Sequence, residues 1–181
     1  NGNVILNVVE DEDGNPIITG GIAPHIFKDD KWVPYSKGPR ASGITSYYDD
    51  YGTLWVGSAQ KLTCVKKDTT FEMKNFPARQ EVISMVEWGK KWLIIGGGVD
   101  IVFFDLETFH KTGREEYRRF DAGSGFVTTE GGQNSFLIDK DSSVWWCCSD
   151  KILHFWPQKI LAYVSNINKP IFYSINTYNL Y

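Results

Sequence analysis

Three histidines, three cysteines and a set of acidic turns are the parts of this sequence with chemistry to test first. His25, His110 and His154 could act as bases, yet none stands with a Ser or Cys in a nucleophile motif such as Gly-x-Ser-x-Gly. Gly96, Gly97 and Gly98 follow a strand-like run, but no Lys-Ser or Lys-Thr and no helix start come after them, so a phosphate cradle lacks its parts. Asp11, Asp13, Gly14 and Asn15 have the look of a calcium loop without its distal bidentate Glu; the segment reads as a corner, and no metal is assigned. Cys64, Cys147 and Cys148 form neither a CxxC pair nor a metal-ligand spacing and read as buried thiols, with Cys147 and Cys148 on opposite faces of one strand. A bridge from Cys64 needs a close partner, and no sequence rule selects one. Paired carboxylates for glycoside hydrolysis are defined by a separation in space, and nothing in the sequence singles out a pair. The chain therefore reads as a non-enzyme without a cofactor.

The elements that must position these residues are short. In 181 residues there are 17 Gly, seven Trp and only two Met, with aromatics at 15%, a mixture that favours pleated strands and tight corners over long helices. Hydrophobic residues at 42% and charged residues at 23% are ordinary globular values. With 19 basic against 22 acidic residues the chain has no field for gripping phosphodiesters, which argues against a nucleic-acid partner. No apolar run approaches the roughly 18 to 20 residues of a membrane-spanning helix, so direct insertion of this segment is not expected. The start carries no basic-then-apolar secretory pattern, but such an address could lie upstream of a processed piece.

Self-similarity organises the chain. The clearest unit runs Asp49-Asp50-Tyr51-Gly52-Thr53-Leu54-Trp55-Val56-Gly57 and is followed by a second apolar run over 62–65. Related units begin at Asp11, Glu87 and Asp139, and taking Gly20, Gly57, Gly96 and Cys147 as equivalent gives spacings of 37, 39 and 51 residues. The first two are close to the ~40 to 45 of a four-stranded propeller blade. The third interval carries an insertion, placed in 107–116 or in the Gly-rich 122–134. First strands are expected at 4–9, 44–48, 82–86 and 135–138, and the sandwiched inner strands should be apolar on both faces, as Val4, Ile5, Leu6, Val8 and Val9 are. One turn of helix is expected within 112–120. Asp-x-x-Gly between strands is a structural corner, because Asp accepts from amides two residues on and Gly permits positive φ. Trp55, Trp92, Trp145 and Trp146 recur in the second strands and read as wedges between blades. Trp32 and Trp88 lie outside that position and are the better candidates for stacking a sugar.

The fold class is all-β: about four four-stranded propeller blades, over 1–41, 42–80, 81–121 and 133–160, with 161–181 a linker and the start of another domain. A propeller gathers its strand-two-to-three loops and its blade-to-blade connections at one end. Arg40, Gln60, Arg79, Asp100, Asn134 and Asp150 could line that mouth and are the candidate ligand-binding residues. The charged stretch 110–119 reads as a solvated loop, with recognition of an anionic sugar or partner as its alternative.

The unit from Asp50 to Val65, with Gly52, Leu54, Trp55, Val56 and Gly57, resembles the two-component regulator propeller repeat. The fourth unit is similar in Asp139, Val144, Trp145 and Trp146, and departs at Ser143 and Cys147. His154-Phe155-Trp156-Pro157 looks like the ending of that family's terminal blade, and residues 169–175 look like the opening strand of its immunoglobulin-like triple-tyrosine domain. The resemblance implies a periplasmic sensor region of hybrid two-component histidine kinases, common among gut Bacteroides. Such regions detect glycan-derived oligosaccharides and relay binding through the membrane, and any kinase chemistry resides in cytoplasmic domains that this chain does not contain. Family propellers have about seven blades, so either these four are the C-terminal part of a larger ring or the ring closes in an unusual way. The rival readings are a protein-interaction scaffold that forms a homodimer through open edges, and a fragment of a carbohydrate-active enzyme.

Overall fold

The computed structural model describes residues 4–35, 42–59, 61–66, 69–77, 81–126, 130–163 and 176–178. Among these residues sixteen strands form four antiparallel four-stranded sheets arranged as a four-bladed β-propeller. The first blade contains β1 (Ile5–Glu10), β2 (Pro16–Gly20), β3 (His25–Lys28) and β4 (Lys31–Pro34). The second contains β5 (Thr45–Tyr48), β6 (Leu54–Ser58), β7 (Lys61–Lys66) and β8 (Thr69–Glu72). The third contains β9 (Ser84–Trp88), β10 (Trp92–Gly96), β11 (Ile101–Asp105) and β12 (Tyr117–Phe120), with α1 (Leu106–Thr112) inserted before its last strand. The fourth contains β13 (Gly131–Ile138), β14 (Val144–Cys148), β15 (Ile152–Phe155) and, after α2 (Pro157–Tyr163), β16 (Asn176–Tyr178). That last strand pairs with β15, which places residues expected in a second domain inside the fourth sheet.

One corner is built three times. Asp11, Asp49 and Asp139 each take their amide to the carbonyl four residues on, while their own carbonyl accepts from the amide three residues on, at 2.9–3.1 Å. The residue at that third position has positive φ in every copy, 79° at Gly14, 75° at Gly52 and 63° at Ser142. In the first two copies the Asp carboxylate also accepts from the amides two and four residues on. Local hydrogen bonds between a short acid and its own backbone are what a hairpin corner needs. Aligning the corners makes Ile17 equivalent to Trp55 and Thr19 equivalent to Gly57, so the first blade is displaced by one residue from the match through Gly20. In a strand one residue exchanges the two faces.

Register sorts each blade into two faces. In the second, Leu54 pairs with Val65 on one side, and Trp55 pairs with Cys64 on the other. Leu54, Val56 and Val65 join Ile17 and Ile26 in a core between the first and second blades. Trp55, Leu62 and Cys64 meet Leu93, Ile95, Val102 and Phe104 between the second and third. Ile94, Ile101 and Phe103 meet Val144, Trp146, Leu153 and Phe155 between the third and fourth. These faces account for the near-continuous apolar runs of β6, β10 and β11. The repeat's glycine follows from the same packing. A Cβ on Gly57 would lie 2.3 Å from Val82 Cγ1, and one on Gly96 would lie 2.5 Å from Trp146 Cζ2, so the next blade occupies the place of a side chain.

β1 departs from the expected sandwich. Val9 packs toward the second blade, but Val4, Ile5 and Val8 are 57%, 53% and 58% exposed. Among the described residues no apolar core joins the first blade to the fourth. Thus four blades share three cores.

The insertion in the third interval is also redistributed. Asp105 caps α1 by accepting from the Thr108 amide at 2.8 Å, and Gly113 ends the helix at φ 74° with its amide on Phe109 O. The helix therefore precedes the stretch in which one turn was expected, and 117–120 is strand. A second, shorter part is the 3-10 turn Ala122–Ser124.

Candidate functional site

Arg40, Gln60 and Arg79 lie outside the described residues. The other three candidates are engaged in different ways. Asp100, in the β10–β11 loop, is fully buried: its Oδ2 accepts from Arg119 Nε at 2.7 Å, and Arg119 reaches on to Asp121 at 2.9 Å. Its Oδ1 fills the space beside Gly97, where a Cβ would come within 2.4 Å. Asp100 therefore braces a tight loop and presents no carboxylate at the surface. Asn134 lies on the innermost strand of its blade and bonds to neighbouring blades. Asp150 is exposed in the β14–β15 loop and pairs with Lys151 at 3.3 Å. Asn134 and Asp150 are thus exposed, the first with its amide bonded to other blades and the second with its carboxylate paired, whereas Asp100 is buried.

A denser ionisable cluster lies at the other end of the blades. Asp49 Oδ2 accepts from Trp55 Nε1 at 2.7 Å and meets His110 Nε2 at 2.8 Å, and its side chain is fully buried. His110, on α1, stacks against Tyr51 at 4.3 Å between centroids, and Lys66 Nζ is 3.5 Å from its Nδ1. With the ammonium donating to Nδ1, the imidazole donates from Nε2 to Asp49. Phe109, next on the helix, covers the Trp55 ring. Glu87 is close by: one carboxylate oxygen accepts from the Asp50 amide at 3.0 Å, and the other is buried without a partner. Burial, with Asp50 and Asp49 nearby, holds its carboxyl above the usual carboxylate range. The stretch expected as a solvated loop thus supplies the cap over the second blade's Trp. Asp105 and Gly113 are its cap signals in the sequence, whereas Asp49 and His110 are 61 positions apart and carry no mutual signal.

The histidines and thiols can be judged from their partners. His154 Nε2 is 2.8 Å from Ser143 Oγ, a distance that would suit a nucleophile and its base. Ser143 is fully buried, however, and the imidazole Nδ1 is buried without an acid to orient it. Asp141 interacts with the serine instead, and hydrogen bonds from the Ser143 side chain and amide hold its carboxyl below the usual range. This arrangement locks a corner; His154 also stacks on Trp145 at 3.8 Å. Cys64 is buried, and burial pushes its thiol up to about 11, away from nucleophilic use. Cys148 is buried as expected, but Cys147, on the opposite face of β14, is exposed. Among the described residues no group of three or more His, Cys, Asp or Glu could hold a metal ion.

The aromatic candidates separate cleanly. Trp88 is half-buried and donates from Nε1 to Ser142 O at 2.8 Å, tying the third blade to the corner of the fourth. Trp32 is 46% exposed on the outer strand of the first blade, tilted against Phe27 at 5.2 Å. An indole presented beside a second ring can stack on the C–H face of a pyranose. No helix among the described residues is long and apolar enough to cross a membrane.

No protein-family model matches the chain, and no curated protein matches it either. Solved structures do. A structure of the extracellular domain of BT4673 from B. thetaiotaomicron, described as a one-component system, superimposes with a TM-score of 0.68 at 15% identity, over 87% of this chain and 24% of that one. A second structure of the BT4673 extracellular domain, described as a hybrid two-component system, gives a TM-score of 0.67 at 16% identity with the same coverage. The chain thus spans about a quarter of the length of the structures it resembles, and the likeness is one of fold.

Proposed function

We propose that this chain is a sensory, ligand-binding module from the extracytoplasmic part of a hybrid two-component signalling protein, and that its ligand is a glycan-derived oligosaccharide. The observation that carries the reading is the likeness in fold, over most of this chain, to the extracellular domain of such a system. The chemistry of the described residues agrees with binding better than with turnover: Asp100, Ser143 and Asp49 are buried and committed to partners, while the Trp32 and Phe27 rings offer a stacking surface. Titration calorimetry against a panel of oligosaccharides tests this. Saturable binding with the sugars recovered intact is expected, and a Trp32→Ala chain should bind more weakly. A folded chain that binds no member of the panel, or one that cleaves a member, overturns the reading.

One observation favours a second reading. Val4, Ile5, Leu6 and Val8 expose apolar side chains along the first strand of the first blade, with Trp32 exposed on its outer strand. A scaffold that dimerises through this surface sediments as a concentration-dependent dimer, and Val8→Lys makes it a monomer. A monomer at every concentration removes that alternative.

A further inference from the structure

The seam between the first and fourth blades differs in kind from the other three. Those three are apolar cores, whereas here Val4, Ile5, Val8 and Leu137 are each more than half exposed. Among the described residues the two blades are joined instead by a hydrogen bond from Asn134. This residue lies in the irregular part of β13, between Gly131 and Phe136, and its φ of 48° is in the left-handed region that a side-chain-bearing residue seldom adopts. Its amide donates to Ile83 O of the third blade at 3.0 Å. Its side-chain Nδ2 donates to Leu6 O of the first blade at 3.1 Å, and its Oδ1 accepts from Thr45 Oγ1 of the second at 2.5 Å. A carbonyl cannot donate, so the partner at Leu6 O fixes which way the amide points. Beside it, Gln133 Nε2 donates to Ile44 O at 2.8 Å. One residue at the centre of the ring is therefore tied to each of the other three blades.

We propose that Asn134 is the pin of a hinged seam: the ring closes between its first and fourth blades through this polar tie and opens there when the tie is lost. The cost of opening is what distinguishes this seam. Parting any other pair of blades bares a buried core, whereas parting these two exchanges the bond from Asn134 Nδ2 to Leu6 O for bonds to water. The left-handed backbone is tolerated because three partners on three blades hold it in place. The inference is independent of whether the chain binds a sugar.

Spin labels at Val8→Cys and Leu137→Cys, one on each side of the seam, read the opening directly in a chain whose exposed Cys147 is replaced by Ser. Pulsed dipolar spectroscopy of that chain should give one narrow distance distribution. Asn134→Gly keeps the left-handed backbone accessible and removes the side chain, and it should raise the population of longer distances by roughly two- to tenfold, the equilibrium shift that corresponds to losing about one net hydrogen bond. Thr45→Val, which leaves Asn134 in place and removes one partner, should shift the distribution in the same direction. A distribution as narrow in both folded variants as in the parent overturns the proposal, as does a parent distribution that is already broad. If Asn134→Gly does not fold, the Thr45→Val result decides alone.

Discussion

Replacing Gly96 by Ala should destabilise the chain far more than one methyl group suggests. The added Cβ would lie 2.5 Å from Trp146 Cζ2 and 2.9 Å from Cε2 and Cη2, well inside van der Waals contact. The ring cannot retreat, because the ideal Cβ position on Gly131 is 2.1 Å from the same Cζ2, and Phe136 lies against the ring at 4.8 Å between centroids. Overpacking of a closed core costs about 1–3 kcal/mol, and a ring confined on two sides belongs at the upper end, about 3 kcal/mol. For a chain of this size that lowers Tm by roughly 6–12 °C. Thermal and urea unfolding measure the loss, and a double-mutant cycle with Trp146→Phe attributes it. The smaller ring leaves room for the methyl, so Gly96→Ala should cost under about 1 kcal/mol when it is made together with Trp146→Phe. An equal cost in both backgrounds, or a loss within about 0.5 kcal/mol in the parent, would show that the third and fourth blades do not meet at this ring.

Two further predictions concern the cluster between the second and third blades. Asp49→Ala removes the acceptor of Trp55 Nε1, His110 Nε2 and the Tyr51 and Thr53 amides, leaving buried donors unpaired at a cost of about 3–5 kcal/mol by urea unfolding; a loss below about 1 kcal/mol would mean that α1 does not dock there. Glu87 gives a pH signature. Its folded carboxyl is held above the ordinary 4.5, so folding favours the protonated form. The stability this supplies is fully present below the unfolded value and is lost as pH rises through the folded value. Glu87→Gln abolishes that loss, and its urea midpoint should gain on the parent as pH rises from about 4 to neutrality; parallel profiles would refute the burial of this side chain.

The parts of the fold that could be read from sequence are those with local causes. The corners at Asp11, Asp49 and Asp139 announce themselves because an acid, a residue tolerant of positive φ and two amides lie within five residues. Even there the first blade is misaligned by one position, since Gly20 looks like the repeat glycine while the corner geometry selects Thr19. The reason is chemical. At Gly57 and Gly96 the next blade drives a side chain against the strand, whereas Thr19 meets Ser46 through a hydroxyl hydrogen bond at 2.8 Å and needs no such clearance. The exposure of β1 was equally hidden, because a run of Val, Ile and Leu is written the same way whether or not a neighbour covers it.

The candidate site was less legible, and the corner motif explains why. In the first two copies one carboxylate oxygen of the acid holds the turn, and in every copy the residue six positions on decides what else the carboxylate meets. In the second blade that residue is Trp55, and the remaining capacity of Asp49 reaches His110 on the next blade. In the fourth it is Trp145, which donates to Asp139 at 3.2 Å. In the first it is Ile17, which can donate nothing, and Asp11 turns to Asn15, with Lys28 at 3.8 Å. The same acidic signal thus ends on His110 of the next blade at Asp49, on the Trp of its own hairpin at Asp139, and on Asn15 of its own turn at Asp11. Residues that meet a ligand in such a protein must be sought where the repeat is not satisfied by itself. Under the function proposed above, that directs the search to the exposed Trp32 and to the seam at Asn134, both of which lie outside the motif that identifies the fold.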